Sequence, residues 1–149
     1  MSVAVHVSVE GVRIPLARAR VIEIARRVLK AERVHDAMVS ITFLGARAMA
    51  ALNRRHLGHR GTTDVISFGF GRSAPRRPVI GDIYIAPDVA RANALTEGAS
   101  VREELTRLIV HGVLHVLGYD HAADESRVAS PMWARQERLV ARVMKELAA

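Results

Sequence analysis

The chain opens on alternation. Val3, Val5, Val7 and Val9 recur at every second position from Val3 to Val9, the period of a strand with one buried side. After Gly11, Pro15 stands where a helix can begin, and Val21, Ile24, Ala25 and Val28 follow at helical spacing, predicting a helix from Pro15 to Ala31. Met38–Leu44 alternates again, with Val39, Ile41 and Phe43 on one side and Ser40 and Thr42 on the other, and Gly45 ends it. Ala46–Leu57 predicts a short helix with Met49 and Leu52 inward, residues 58–63 a loop, and Asp64–Phe68 a third, buried strand. Residues 69–78, with glycine, proline and three arginines, form the most loop-like segment. Val79–Ala86 is a fourth strand, in which Gly81 marks a bulge or a close backbone approach.

Pro87 and Asp88 open a helix that Gly98 stops near Glu97. Ser100 and Glu103 have capping-box spacing, so another helix starts at Val101 and runs to about Leu117, with Gly118 as the left-handed residue past its end. Ser130 and Pro131 begin the last helix, with Trp133, Val140, Val143 and Leu147 as its apolar stripe. About four strands and about five helices, mixed without strict alternation, predict an α+β fold around a small mixed sheet. With no repeat and no linker, residues 1–149 read as a single domain, long enough for a real core.

Composition narrows the function classes. No apolar run approaches the roughly 20 residues that span a bilayer, and the alternating start is unlike a secretory signal, so the expected setting is the cytoplasm, away from membranes. The absence of cysteine rules out disulfides, thiolate nucleophiles and cysteine-based zinc sites. The formal charge is +7, carried almost wholly by arginine, since Lys30 and Lys145 are the only lysines. Arginine suits phosphate contact, whereas the scarcity of aromatics argues against a base-stacking platform.

One stretch concentrates chemistry: residues 111–121, HGVLHVLGYDH. At about 100° per residue, His111 and His115 share one face of the helix, while Leu105, Ile109, Val113 and Val116 lie roughly opposite. Val110, Leu114 and Leu117 fill most of the remainder, so this helix is expected to be buried. Gly118 lets the chain turn back, and His121 can return to the same point. Three imidazoles there make a zinc site with a fourth position for water, although nickel or copper also suit such ligands. The arrangement resembles the long zinc-protease signature, but Gly112 stands where those enzymes carry a general-base glutamate. Asp120, Asp124 and Glu125 are candidates for orienting a histidine or taking a proton.

The same residues resemble the signature of the YbeY family of bacterial endoribonucleases, the rRNA maturation factors, and match it at every patterned position. Leu52–Phe68 resembles a second block of the family, and Gly81–Ile83 a third. The resemblance implies His111, His115 and His121 as ligands of one zinc ion. It also implies metal-dependent cleavage of single-stranded RNA, 3′-end maturation of small-subunit rRNA, a part in ribosome quality control, and ribosomal RNA and subunits as partners. Many members carry an arginine thought to assist at the position of Leu57; Arg54, Arg55, His59 and Arg60 are the nearby candidates for RNA contact. Two other readings remain beside it: a zinc hydrolase acting on a peptide or small amide, and a non-catalytic ribosome-assembly protein with bound zinc. The oligomeric state is not indicated.

Overall fold

The structure is a computed structural model describing residues 2–58, 63–69, 77–119 and 130–148. Its elements run β1 (Val3–Glu10), α1 (Arg18–Ala31), β2 (Ala37–Leu44), α2 (Ala46–Leu57), β3 (Val65–Gly69), β4 (Val79–Ile85), α3 (Pro87–Glu97), α4 (Val101–Val116) and α5 (Pro131–Ala148). The fold is α+β. Its four-stranded sheet has the order β1-β2-β4-β3, with β1, β2 and β4 parallel and β3 antiparallel at the edge.

Alternation in the strands decides the layers. Val39, Ile41 and Phe43 of β2 and Ile83 and Ile85 of β4 point into the main core. They meet Val21, Ile24, Ala25, Val28 and Leu29 of α1 and the apolar sides of α4 and α5. The opposite face carries a smaller cluster, where Met49 of α2 packs with Leu44, Ile66 and Ala86. Helix α4 lies at the centre and contacts α1, α3, α5, β3 and β4. Its residues Leu105, Leu108, Ile109, Val110, Val113, Leu114 and Val116 are all buried, as an almost wholly apolar circumference requires.

Three expectations need correction, and at Gly81 one of two alternatives is decided. Helix α1 begins at Arg18, not Pro15, because Ala17 is extended (ψ 148°) as the uncapped N-cap, and Leu16 is already committed to the core at 7% exposure. The third strand is half-buried, since only one of its edges finds a partner. Gly81 makes no bulge; it pairs in register with Val39 and Gly69. Its role is close approach, because a Cβ there would run into the side chain of Val116 on α4. In α5 the buried stripe is Met132, Gln136, Leu139, Val140 and Val143, while Trp133 lies beside it, partly exposed.

Candidate metal centre at the end of helix α4

The centre is built where α4 stops. Ser100 caps its start, the hydroxyl accepting the Glu103 amide at 3.0 Å, and acidic Glu103 and Glu104 lie in the first turn, where the helix dipole favours them. At the other end the Gly118 amide donates to the His115 carbonyl at 2.9 Å and the Tyr119 amide to that of Leu114 at 3.0 Å. This is a Schellman closure, and it needs the φ of +101° that Gly118 supplies. The Tyr119 hydroxyl then donates to Glu32 at 3.1 Å, and Arg135 of α5 donates to the same carboxylate at 2.8 Å. Burial first, then the charge of Glu32, pushes the Tyr119 phenol above its ordinary value, so it stays a donor. The chain is thus clamped between the ends of α1 and α5 at the residue before Asp120.

His111 and His115 project from one side of α4, with ring centroids 4.7 Å apart and planes at 64°. His111 is buried at 6% exposure, and His115 is partly exposed. Two imidazoles this close, one sheltered and one reaching solvent, could supply two ligands to a borderline divalent cation such as zinc. Among the described residues no third histidine or carboxylate joins them. His121 and Asp120 lie outside the described residues, as do His59, Arg60, Asp124 and Glu125.

A polar seam extends from the pair. Glu104, Arg107, His111 and His115 follow one another at helical spacing along one side of α4, and Arg107 and His111 bond to α5. His111 Nδ1 is 2.7 Å from Gln136 Oε1, and Gln136 Nε2 is 3.1 Å from Glu137 Oε2. Arg107 holds Glu137 with two bonds, of 2.9 and 3.0 Å, and reaches Glu104 at 3.4 Å. Burial alone would raise the Glu137 carboxyl, but the hydrogen bonds from Arg107 and Gln136 outweigh it and hold the group below the usual carboxylate range. Glu104, more deeply buried, is raised instead, burial outweighing the charge of Arg107.

The depressed value for Glu137 has a consequence for stability. Its contribution is complete above the unfolded carboxylate value of about 4.3 and is lost as pH falls through the lower folded value. Glu137→Gln should therefore cost about 1–2 kcal/mol near neutrality, at the low end for a charged hydrogen-bonded pair because the site is partly exposed. The difference should narrow as the pH is lowered below the ordinary carboxylate range, as urea unfolding at neutral and at acid pH can show.

Gly112 faces away from this seam, into the sheet. A Cβ there would lie 2.6 Å from Ile83 Cγ2 and 3.1 Å from its Cδ1, and Ile83 is fully buried. Gly69 meets the α4 backbone at Val116 just as tightly. The helix is seated on β3 and β4 through these glycines.

On the opposite side of β3, Arg54, Arg55 and His56 form the last turn of α2. Both arginines are exposed, and His56 packs edge-on against Phe68 of β3 at 5.7 Å. Leu57 is the final residue of that helix. The last turn of α2 and helix α4 therefore both pack against β3. Sequence reasoning missed Gln136 and Arg107–Glu137. Gln136 carried a readable signal, being a polar residue at core spacing between Met132 and Leu139–Val140.

Comparison with known proteins gives a consistent result. The sequence model of one family, described as endoribonuclease YbeY, matches residues 7–144. An endoribonuclease YbeY of Frankia alni is 39% identical over 93% of this chain and 81% of its own length. One from Thermobifida fusca is 37% identical over 86% of each chain, and one from Salinispora tropica is 40% identical over 81% and 84%. For the fold alone, the solution structure of a Thermotoga maritima protein superposes with a TM-score of 0.63 at 22% identity, over 97% of this chain and 91% of that one. No helix among the described residues is long and apolar enough to cross a membrane.

Proposed function

The chain belongs to the YbeY endoribonuclease family, and from that membership we propose that it is a zinc-dependent endoribonuclease specific for single strands. It acts in the cytoplasm, in 3′-end maturation of small-subunit rRNA and in ribosome quality control, on RNA carried by ribosomal subunits. The observation that carries the metal-dependent part is the His111–His115 pair, with 4.7 Å between ring centroids and the inner ring tied to Gln136. These two residues, with His121 from the sequence, would hold one zinc ion. A bound zinc would supply a water acidic enough to ionise near pH 7 and a positive charge beside the scissile phosphodiester.

The chain's own groups do the rest. Arg54 and Arg55, exposed at the end of α2, and Arg60 from the sequence are assigned to the RNA backbone, where guanidinium forks pair with phosphate oxygens. Asp120, next to His121, is assigned to proton transfer or to orienting that histidine. A peptidase reading is not favoured, because position 112, where a zinc protease carries its base, is closed by Ile83.

Metal removal tests the proposal. The purified protein should contain about one zinc per chain. It should cleave a single-stranded RNA, lose that activity to a chelator, and regain it when zinc is returned. Undiminished cleavage by metal-free protein overturns the zinc-dependent reading.

A further inference from the structure

We propose that Gln136 is a positioning residue, which holds His111 in the tautomer that carries its proton on Nδ1 and presents the Nε2 lone pair to the metal. This rests on the metal site proposed above.

Glu137 is an ionised carboxylate held by two bonds from Arg107, at 2.9 and 3.0 Å. A carboxylate only accepts hydrogen bonds. The amide arm of Gln136 that lies 3.1 Å from Glu137 Oε2 must therefore be the NH₂ group. The other arm, 2.7 Å from His111 Nδ1, is then the carbonyl oxygen, which can only accept. So Nδ1 must donate. In a neutral imidazole with its proton on Nδ1, the lone pair is on Nε2. Arg107 and Glu137 thus set the direction of the Gln136 amide, and the amide sets the ring.

The burial supports a built arrangement. Gln136 is 1% exposed and His111 is 6% exposed. A wrong tautomer would place a lone pair against the Gln136 oxygen inside the core, where a lost hydrogen bond costs about 1–3 kcal/mol. A partner on the second nitrogen of a ligating histidine both orients the ring and strengthens its donation, and removing such partners commonly lowers metal affinity by about 10- to 100-fold. Gln136 differs from an ordinary core residue in that its effect should be visible on one ring.

The test uses the full chain, labelled with nitrogen-15 and freed of metal, at a pH of about 8, above the ordinary histidine range. Two-bond proton–nitrogen correlations report the tautomer of each imidazole. His111 of the wild type should show a protonated Nδ1 and a bare-type Nε2 signal. Gln136→Met, similar in size but without the acceptor, should lose that selection. Its zinc affinity, by competition with a chromophoric chelator, should fall about 10- to 100-fold. Gln136→Glu keeps an acceptor for the Nδ1 proton, though it loses the bond to Glu137, and should restore the His111 tautomer. The proposal is overturned if Gln136→Met binds zinc as the wild type does, or if its affinity falls while the His111 tautomer is unchanged. A wild-type His111 protonated on Nε2 overturns it without any variant, so a failure of Gln136→Met to fold does not shield it. Wild-type protein that shows the Nδ1–H tautomer but binds no zinc overturns the metal site, and with it this role towards a metal.

Discussion

His115→Ala should abolish zinc binding and reduce cleavage of single-stranded RNA by on the order of 10³-fold, the scale seen when a principal source of transition-state charge stabilisation is removed. His115 is the informative choice of the two described histidines. It is partly exposed, so the metal-free variant should keep its fold and lose no more than about 1 kcal/mol. His111→Ala is less clean, because it would also leave a buried Gln136 oxygen without its donor, at a cost of about 1–3 kcal/mol. Metal content, thermal unfolding and RNA cleavage on one preparation separate these effects. Wild-type cleavage by His115→Ala, free of contaminating nuclease, would sink the zinc mechanism.

Gly112→Glu, which writes the zinc-protease base into this helix, should create no peptidase and should destabilise the protein by about 3–5 kcal/mol, the range for an uncompensated buried charge. The cause is the 2.6 Å approach of any Cβ at this position to Ile83 Cγ2 in the fully buried core. Gly112→Ala is the control. Alanine is better than glycine in a helix by about 1 kcal/mol, but overpacking costs about 1–3 kcal/mol, so the net change should be a loss of up to about 2 kcal/mol. Urea unfolding of both variants gives the comparison. Wild-type stability in Gly112→Glu would mean that the glutamate escapes the sheet, and that glycine here is a matter of chemistry, not of packing.

Most of the fold was legible because its signals are local. The valines of β1 and the alternation in β2 and β4 announce one-sided burial. Pro87 and Gly98 bound α3, and Ser100 and Gly118 bound α4, through backbone conformations or capping bonds their own side chains permit. The misplacements share a cause. Pro15 permits a helix start but does not compel one, and the burial of Leu16 moved it to Arg18. The short apolar run of β3 looks the same in an inner strand as in an edge strand, and only strand order distinguishes them.

The site divides along the same line. Spacing alone places His111 and His115 on one helical face, and the glycine after them identifies the turn. By itself, then, the sequence determined the elements, their inward faces except that of α5, the histidine pair and the family signature, because each depends on residues within a few turns of one another. Tertiary structure decided what surrounds the pair. Gln136 reaches His111 from 25 residues away, Arg107 and Glu137 meet across 30, and Glu32 clamps Tyr119 across 87. It also gave Gly112 its meaning: in sequence a missing base, in the fold the point where α4 rests on Ile83. Contacts of that kind depend on how two distant surfaces approach, and chain periodicity records which side of an element is apolar but not which residue it will meet.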